Sequence, residues 1–387
     1  MIFLQSSIIN AQETFYDLIK PGNFQVGFQD TVIFDPQFDY EAYNYSGKKP
    51  FFIQVWHPIE EKQKPLFNGE NDPLLIKDFF EGKQYPGLQS VQQQIKKNNK
   101  EVFIRDFIAE NLHTGQENDF ETYSYDDVFN LITQLKTQST FSAINKITGF
   151  PVIIYHHGSQ SNSFENFAMA EYFASRGFIF IASNFHLPYE NSIWGLKPYD
   201  KLVKNEDEES LRTILKFARS ISSSPYIFFI GHSLGAQMGF RTFDRDSSIK
   251  GMVSLETTIE FKNDYEKIKE MWPEVFQKIV TEKANYPFPV LLCAATGQER
   301  PFYFFDRLNA PQITFAPTKE EFEHNAYTSL FYLRYFLSDK VLQPDKDMLK
   351  DRLNLYRKHL ELINQFITQV IAHVQKKNKE TVFVNTD

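Results

Sequence analysis

The sequence contains one cysteine, no long apolar run and no block of basic residues. A single cysteine, Cys293, excludes an intrachain disulfide and a metal site built from several cysteines. Its surroundings, Pro289-Val-Leu-Leu-Cys-Ala-Ala295, predict a small buried residue rather than a reactive thiol. No apolar run of about 18 residues follows the N-terminus, so no transmembrane helix is expected. The formal net charge of −8 disfavours nucleic acid and anionic membranes as partners.

The composition is otherwise that of a globular protein. Of 387 residues, 42% are hydrophobic and 23% are charged, which excludes a disordered, collagen-like or coiled-coil chain. The 40 phenylalanines and 19 tyrosines provide enough aromatic surface for a large core and for part of a pocket wall.

Residues 1–12, MIFLQSSIINAQ, have a short apolar stretch followed by the small residue Ala11. We interpret this segment as the remnant of a signal peptide that starts further upstream, because it lacks a basic beginning and is short. The interpretation predicts a secreted or periplasmic protein. The alternative is an ordinary frayed or strand-forming terminus of a cytoplasmic protein.

Residues 62–146 differ in pattern from the rest of the chain. Two β-like stretches come before them, at 23–34 and 50–57, joined by a turn at 44–47. Within 62–146, helices are predicted at 89–98, 100–112 and 125–136, and no strand is predicted. The segment therefore resembles a helical insertion, a candidate cap or lid.

Strand-like and helix-like segments alternate from Gly149 onward, which is typical of a parallel α/β sheet flanked by helices. The predicted strands are 151–155, 178–183, 225–230, 251–255, 289–295 and 312–316. The predicted helices are 165–176, 206–221, 265–283, 327–337 and 345–376. One α/β domain over residues 13–387, with the insertion inside it, fits this pattern better than two domains.

The motif Gly231-His-Ser-Leu-Gly235 directly follows an apolar strand and directly precedes a helix-like segment, residues 236–240. A G-x-S-x-G turn in this setting holds its serine on a sharp bend with the hydroxyl exposed. Glycines flank the serine because a Cβ there would collide with neighbouring backbone. The helix N-terminus adds positive charge and an N–H for a developing oxyanion. Ser233 is therefore the predicted nucleophile; a turn with an idle serine is the alternative.

A serine nucleophile needs a base, and around such a turn the chain order is Ser, acid, His. Three histidines follow Ser233, namely His324, His359 and His373. The last two fall in the long charged C-terminal segment, which predicts solvent-facing positions on a helix. His324 falls in a loop between a predicted strand and a predicted helix, where a base is expected. We therefore predict His324 as the base, with a plain surface histidine as the alternative.

The acidic partner has more than one candidate. Glu256 directly follows the predicted strand 251–255 and is the first acidic residue able to lie at the carboxyl edge of the sheet. Glu299 and Asp306 follow the next strand, and Glu299 adjoins Arg300, which suggests a surface ion pair. Glu256 is the favoured acid, whose role is to fix the imidazole tautomer and stabilise the imidazolium.

An oxyanion hole needs a second N–H from the loop after an earlier strand. The segment Tyr155-His-His-Gly-Ser159 follows the strand 151–155, and its glycine lets the backbone approach a substrate. The N–H groups of Ser159 and Leu234 are the predicted pair. The two adjacent histidines should point to opposite sides of an extended chain, so no metal site is expected.

These motifs together resemble the platelet-activating-factor acetylhydrolase and dienelactone-hydrolase-like branch of the α/β-hydrolases. The similarity covers roughly residues 23–60 and 149–340. The matching segments are Gly27-Phe-Gln-Asp-Thr-Val32, Phe52-Ile-Gln-Val-Trp-His-Pro58, Pro151-Val-Ile-Ile-Tyr-His-His-Gly158, Ala170-Glu-Tyr-Phe-Ala-Ser-Arg-Gly-Phe178, Ser183-Asn-Phe-His186 and the Gly231–Gly235 motif.

The resemblance implies an α/β-hydrolase fold and a serine esterase for small-molecule esters with short or modest acyl groups, working without a cofactor. That group has an Asp at the position of Glu256, which supports this position over Glu299 although the residue differs. His324 and Ser159 match the group's histidine and oxyanion-loop positions. A peptidase or acyltransferase on the same fold, or a catalytically silent binding protein, remain as alternatives.

Overall fold

A computed structural model describes most of the chain. The described residues are 16, 18–59, 72–109, 124–144, 148–159, 161–190, 204–255, 266, 269–270, 272–295, 307–318, 322, 324–336 and 346–383. The signal-like segment 1–12 lies outside them, as do the three acid candidates Glu256, Glu299 and Asp306.

One mixed sheet of nine strands forms the centre of the described part of the chain. The strands are β1 (Gln25–Ala42), β2 (Tyr45–Ile59), β3 (Ser139–Phe141), β4 (Val152–His156), β5 (Ile179–Ser183), β6 (Ile227–His232), β7 (Gly251–Leu255), β8 (Val290–Ala295) and β9 (Ile313–Thr318). Their spatial order is β3-β1-β2-β5-β4-β6-β7-β8-β9. In this spatial order, the strands β5, β4, β6, β7, β8 and β9 are each parallel to their neighbours in that series. Strand β2 runs antiparallel to β1 and to β5. The predicted, mostly parallel α/β sheet is confirmed.

Strand order reverses around β4. The chain continues from β4 to β5 on one side, and it returns to place β6 on the other side. Ligands of parallel α/β sheets bind in the crevice outside the carboxyl ends of the strands at such a reversal. The loops after β4 and β6 therefore mark the expected position of a functional site.

The β1–β2 hairpin turns at Tyr43 and Asn44, whose φ angles are 52° and 60°. Two successive residues with positive φ make the tight turn that suits twisted hairpins. The sequence analysis expected the turn at 44–47, but Ser46 and Gly47 already pair with Glu41 and Tyr40 within the ladder. The strands are therefore longer than predicted.

Helices cover both faces of the sheet. They are α1 (Ile76–Glu81), α2 (Gln89–Phe103), α3 (Tyr125–Thr133), α4 (Phe167–Ala174), α5 (Lys204–Ile221), α6 (Leu234–Thr242), α7 (Pro273–Phe276) and α8 (Lys346–Phe383). Short π-helical turns span Ile104–Ala109 and Gln277–Thr281, and 3₁₀ turns span His324–Tyr327 and Leu330–Phe336. Within the described ranges, no helix combines the length and the apolar character needed to cross a bilayer.

The core has two layers, one on each face of the sheet. Along β4, Ile153 and Tyr155 pack into the layer formed with α4 and α8, while Val152 and Ile154 pack into the layer formed with α5 and α6. Successive strand residues point to opposite faces, so a sheet covered on both sides needs apolar residues at every position. Cys293 is fully buried in the first layer, as predicted.

The segment 62–146 contributes α1, α2 and α3 in its described part. The helices predicted at 89–98 and 125–136 are confirmed by α2 and α3, whereas α1 was not predicted. The described part of the helix predicted at 100–112 is the end of α2 followed by the π-helical turn Ile104–Ala109. The phenylalanines Phe80, Phe103 and Phe129 of the three helices pack against one another and, through Phe164, join the sheet core. The expectation of no strand was wrong, because β3 pairs in parallel with β1 at the sheet edge. Three residues are too few for an alternating pattern to reveal a strand.

The long C-terminal helix α8 is confirmed, but His359, which the charged sequence around it predicts to face solvent, is buried. His373 is exposed, whereas His359 is buried with Nε2 3.0 Å from Oγ1 of Thr318 and with its ring stacked on Phe322. Burial lowers the pKa of His359 to about 4. The prediction that His359 faces solvent was wrong because this helix turns one face into the core despite its many charges.

Candidate active site

Ser233 lies at the bend between β6 and α6, with φ of 51° and ψ of −118°. A residue with a side chain in such a region costs about 1–3 kcal/mol and persists only where its surroundings enforce it. Here the Ser233 N–H donates to the carbonyl of Leu255 (3.0 Å), at the end of β7. Its own carbonyl accepts the N–H of Ala236 (3.1 Å). The Ser233 turn, residues 231–235, therefore has the strained strand-to-helix geometry that the motif predicts.

The two glycines of the Ser233 turn are required by contact distances. A Cβ on Gly231 would lie 2.4 Å from the backbone nitrogen of Ala236. A Cβ on Gly235 would lie 2.1 Å from the carbonyl oxygen of His156, at the end of β4. Any larger residue would force the backbone apart, as the sequence analysis expected. Gly235 therefore also sets how closely α6 approaches the end of β4.

The β4 loop, residues 157–159, passes directly beside Ser233. A Cβ on Gly158 would lie 3.4 Å from Cβ of Ser233 and 3.1 Å from Nδ1 of His232. Ser159 is exposed at the next position of this loop, and Leu234 is the first residue of α6. The leading N–H groups of a helix have no carbonyl partner within it and carry partial positive charge. Ser159 and Leu234, predicted to form the oxyanion hole, thus lie on the two segments that flank Ser233.

His324 is the first residue of the 3₁₀ turn that follows β9. Its ring centroid lies 4.8 Å from that of His232, the residue before Ser233. Nε2 of His232 lies 3.2 Å from the carbonyl oxygen of His324. The fold therefore brings the predicted base to the Ser233 turn by way of His232. The predicted acid Glu256 follows Leu255 in the chain and lies outside the described residues.

The surroundings of His324 favour a neutral imidazole. Burial lowers its pKa to about 3, and the nearby His232 acts in the same direction, while the charge of Glu165 opposes them. A base must be unprotonated to accept the proton of a hydroxyl. His324 is in that form throughout the neutral range.

A buried carboxylate, Glu165, lies beneath this arrangement at 1% exposure. Its Oε1 accepts hydrogen bonds from the hydroxyl of Tyr155 (2.5 Å) and from the N–H of Gly158 (3.2 Å). Nδ1 of His232 lies 3.3 Å from the same oxygen, a close polar contact rather than a well-directed hydrogen bond. One carboxylate oxygen thus touches both the β4 loop and the residue before Ser233.

Glu165 is ionised despite its burial. Burial raises the pKa of its carboxyl, but the neighbouring His232 and His157 and polar contacts with His232 and Ser161 outweigh that effect and hold the pKa at about 2. The carboxylate therefore places a negative charge next to His232 and close to His324.

Asn166 extends this network to the loop that carries His324. Its Nδ2 donates to the hydroxyl of Tyr155 (2.7 Å) and to the carbonyl of Tyr327 (3.1 Å). Its Oδ1 accepts from the N–H of Ser329 (3.0 Å) and from the hydroxyl of Tyr356 on α8 (2.9 Å). The dipeptide Glu165-Asn166 therefore ties the β4 loop, the His324 turn and the C-terminal helix together.

The sequence predicts a plain helix over 165–176 and therefore gives no role to Glu165 and Asn166. His232 lies inside the Gly231–Gly235 motif, where no role is predicted for it. The helix α4 begins only at Phe167, and all its residues are buried. A charged residue next to a helix that is buried along its whole length has no direct route to solvent and needs buried partners. That pairing of Glu165 with the apolar run after it is the signal that could have identified the site.

Three further histidines lie beside the site. The rings of His156 and His157 have centroids 5.4 Å apart, and both contact His186, at 5.8 and 5.0 Å. The expectation that the first two point to opposite sides was therefore wrong, since β4 ends at His156 and the alternation stops there. Among the described residues, no group of three or more His, Cys, Asp or Glu side chains is arranged to hold a metal ion.

No curated protein matches this chain. A ferulic acid esterase from Streptomyces cinnamoneus has 14% sequence identity over 87% of this chain and 88% of that chain, with a TM-score of 0.49. Est1E from Butyrivibrio proteoclasticus with bound ferulic acid has 17% identity over 58% and 90%, with a TM-score of 0.38. Brefeldin A esterase, a bacterial homologue of human hormone sensitive lipase, has 9% identity over 93% and 86%, with a TM-score of 0.40.

Residues 151–384 match the family described as alpha/beta hydrolase fold. The matched range holds the parallel strands β4 to β9, the Ser233 turn and His324, and it leaves out the opening hairpin and the helices α1 to α3. By this match over more than half of its length, the chain belongs to the alpha/beta hydrolase fold family.

Proposed function

We propose that this protein is a serine ester hydrolase. The observation that carries the proposal is the Ser233 turn, where a serine with φ of 51° is enclosed by two glycines that admit no side chain. Such strain is maintained at functional positions, where the surrounding structure enforces it. In an alpha/beta hydrolase, a serine in this setting serves as a nucleophile.

The reaction proceeds through an acyl-enzyme. His324 accepts the proton of the Ser233 hydroxyl while Ser233 Oγ attacks the ester carbonyl carbon, forming a tetrahedral oxyanion. N–H groups of Ser159 and Leu234 stabilise that oxyanion. The C–O bond to the alcohol then breaks, and His324 returns its proton to the leaving alcohol. Water, deprotonated by His324, attacks the acyl-enzyme and releases the carboxylic acid and free Ser233.

Glu256 is the acid in this proposal, orienting His324 and stabilising the imidazolium. Its support is chain position, because β7 ends at Leu255 and the Leu255 carbonyl accepts the N–H of Ser233. Glu256 therefore directly follows a residue whose carbonyl is hydrogen-bonded to the proposed nucleophile. Glu165, which touches His232, supplies a second negative charge close to His324.

Short or modest acyl groups remain the proposed substrates, following the resemblance to the platelet-activating-factor acetylhydrolase branch. Helix α1 packs Phe79 and Phe80 against Phe164 in the loop beyond Ser159, and Phe80 in turn packs against α2 and α3. A segment in that position is suited to limit acyl length, which agrees with a cap or lid.

The test is hydrolysis of p-nitrophenyl esters from acetyl to dodecanoyl, with Ser233→Ala in parallel. We expect turnover that the variant loses by at least about a thousandfold, with a maximum at short chains. A fluorophosphonate probe should label the wild type and not the variant. Labelling without ester turnover would favour a peptidase or acyltransferase, and neither labelling nor turnover in the folded protein would favour a silent binding protein.

A further inference from the structure

A half-open cleft lies on the β5 side of the proposed active site. It is bounded by the β1–β2 hairpin, by α1 and α2, and by the loop that continues from Ser159 through residues 161–164. Asn184 and His186, which follow β5, form its floor on the side of the sheet. The cleft thus lies at the carboxyl edge of the sheet, on the β5 side of Ser233.

Within the part of the chain that the structure describes, three polar atoms on residues that line this cleft are buried and have no hydrogen-bond partner. They are the hydroxyl of Tyr85, Nδ2 of Asn184 and Nδ1 of His186. Buried polar atoms in folded proteins are nearly always hydrogen-bonded, because an unsatisfied one costs about 1–3 kcal/mol. Three such atoms converging on one cleft indicate a ligand that supplies the missing partners.

The orientation of Asn184 is fixed by its neighbours. Its Oδ1 accepts the N–H of Phe52 (2.7 Å), and its own backbone N–H donates to the carbonyl of Phe52 (3.2 Å). Nδ2 is therefore the free end of the amide, and it can only donate. The ligand must present an acceptor to it.

The remaining polar groups call for a partner that both donates and accepts. Burial, together with the nearby His157 and Lys49, holds the pKa of His186 well below its ordinary value, so its neutral ring offers one donor and one acceptor. The Tyr85 hydroxyl does both as well. Asp30 also lines the cleft, and its carboxyl accepts the N–H of Lys83 (3.2 Å). Uncharged hydroxyl groups satisfy all of these positions, whereas a single charged group would not.

Aromatic faces occupy the other side of the cleft. Phe52 and Tyr85 are half-buried, with ring centroids 6.2 Å apart. The buried rings of Phe80 and Phe164, whose centroids are 4.4 Å apart, belong to the same lining. Flat aromatic surfaces suit the C–H faces of a ring that carries hydroxyl groups on its rim. The combination of aromatic faces with hydroxyl-compatible polar atoms suits a sugar better than an acyl chain.

Two segments that line the cleft lead toward the proposed site for the ester. Ser161 and Asn162 line it, only a few residues beyond Ser159. The ring of His186 stands at 87° to that of His157, with centroids 5.0 Å apart, and His157 adjoins Gly158 beside Ser233. A group bound in the cleft therefore lies close to the ester bond cleaved at Ser233.

We propose that the cleft binds the alcohol part of the substrate and that this part is a polyhydroxylated ring such as a sugar. The proposal rests on the proposed function and adds the substrate class to it. The wild type should prefer 6-O-acetylglucose to cyclohexylmethyl acetate, which has the same ring-CH₂-acetate skeleton without the hydroxyls. We expect kcat/KM to differ by at least about tenfold between the two esters.

The variant Tyr85→Phe removes one hydroxyl and keeps the ring. It should lower kcat/KM for 6-O-acetylglucose by about fivefold to tenfold and leave cyclohexylmethyl acetate within about twofold. Asn184→Asp keeps the acceptor for the Phe52 N–H, removes the donor, and should act in the same direction. Tyr226→Phe is the matched control, since Tyr226 directly precedes β6 at the opposite edge of the sheet, and it should change neither ester.

Turnover of p-nitrophenyl acetate separates this proposal from the proposed function. Suppose that Ser233-dependent cleavage of that ester is observed. If the two matched esters then react equally, or if Tyr85→Phe changes the kcat/KM of both esters alike, the sugar site is refuted and solvent alone fills the cleft. If no ester is cleaved, the proposed function fails, and the cleft is judged by calorimetric titration with methyl glucoside. Saturable binding that Tyr85→Phe weakens would then support a sugar site, and absence of binding would refute it.

Discussion

The Ser233 turn and the polar cleft lie at the same edge of the sheet but are built in opposite ways. The turn consists of five consecutive residues whose contacts exclude even a methyl group at Gly231 and Gly235. The cleft draws Asp30, Tyr85 and Asn184 from three distant parts of the chain and leaves space between them. The geometry of the turn is thus sensitive to any added side-chain volume. The proposed binding in the cleft is sensitive to the loss of polar groups. Chemistry common to a family is encoded locally, whereas substrate choice depends on how distant segments meet.

Adding one methyl group to the turn should have the largest effect. Gly235→Ala would place a Cβ 2.1 Å from the His156 carbonyl oxygen, so α6 and β4 must separate. We expect kcat/KM to fall by at least about a hundredfold, because shifts near 1 Å are costly at a reacting centre. Urea unfolding should show a loss of about 1–3 kcal/mol.

The control for this change is Gly149→Ala, since a Cβ on Gly149 would meet nothing within 4 Å. It should leave both ester hydrolysis and unfolding unchanged. Full activity in Gly235→Ala would show that the close approach of α6 to β4 is not needed for the site.

Removing the charge of Glu165 should have an intermediate effect. In Glu165→Gln the acceptors for the Gly158 N–H and the Tyr155 hydroxyl remain, but the negative charge near His324 is lost. We expect kcat/KM to fall by about tenfold, because an imidazolium at His324 is less stabilised. Since the charge of Glu165 raises the pKa of His324, the acid limb of the pH profile should also move to lower pH.

The wild-type limb itself should lie below pH 6.5, because the described surroundings lower the pKa of His324 to about 3. Glu171→Gln is the matched control, a second buried glutamate whose partners are Tyr16, Gln138 and Ser139 instead. It should leave the profile in place. An unchanged profile in Glu165→Gln would mean that Glu165 acts through packing only.

Removing the ionisable carboxyl of Asp30 in the cleft should have the smallest effect, and this effect should appear in the free energy of unfolding. Burial, with the charge of Asp78, raises the pKa of Asp30 to about 7 against the opposing hydrogen bonds from Lys83 and Gln54 and the Lys83 charge. The folded protein therefore binds more protons than the unfolded chain between about pH 4 and pH 7, and its stability falls as pH rises through that window. Asp30→Asn should remove this fall and gain about 1–2 kcal/mol at pH 8, with little gain near pH 4.

Urea unfolding at both pH values measures this difference. Asp39→Asn, at an exposed carboxyl of the same hairpin, is the control and should show no such pH-dependent gain. Equal stabilisation of Asp30→Asn at both pH values would show that the carboxyl of Asp30 is not the titrating group.

The sequence predicted features formed by neighbouring residues, and it did not predict features formed by residues that are distant in the chain. The strand before Ser233, the glycines around it and the strand ending at Leu255 are local patterns, and the structure has them where they were expected. The hairpin turn was misplaced because Tyr43 adopts a positive φ that the composition of residues 44–47 did not indicate.

The errors at single residues have one physical cause. His359 has charged neighbours in sequence, yet its ring packs on Phe322 and its Nε2 lies beside Thr318, two residues brought in from before α8. Glu165 adjoins an apolar helix, yet it is paired with His232 from another strand. Partners that are distant in the chain decide burial and charge, and a motif scan of a single sequence does not contain them.

The hydrogen bond between Tyr356 and Asn166 has a consequence for the time at which the enzyme first becomes competent during synthesis. Asn166 also holds Tyr327 and Ser329, next to His324, so the floor of the proposed site includes a residue of the last helix. A nascent chain can form the Ser233 turn early, because chains emerge from their N-terminus. The floor beneath it is completed only after α8 has left the ribosome and docked, so the proposed site can be complete only once α8 has been synthesised.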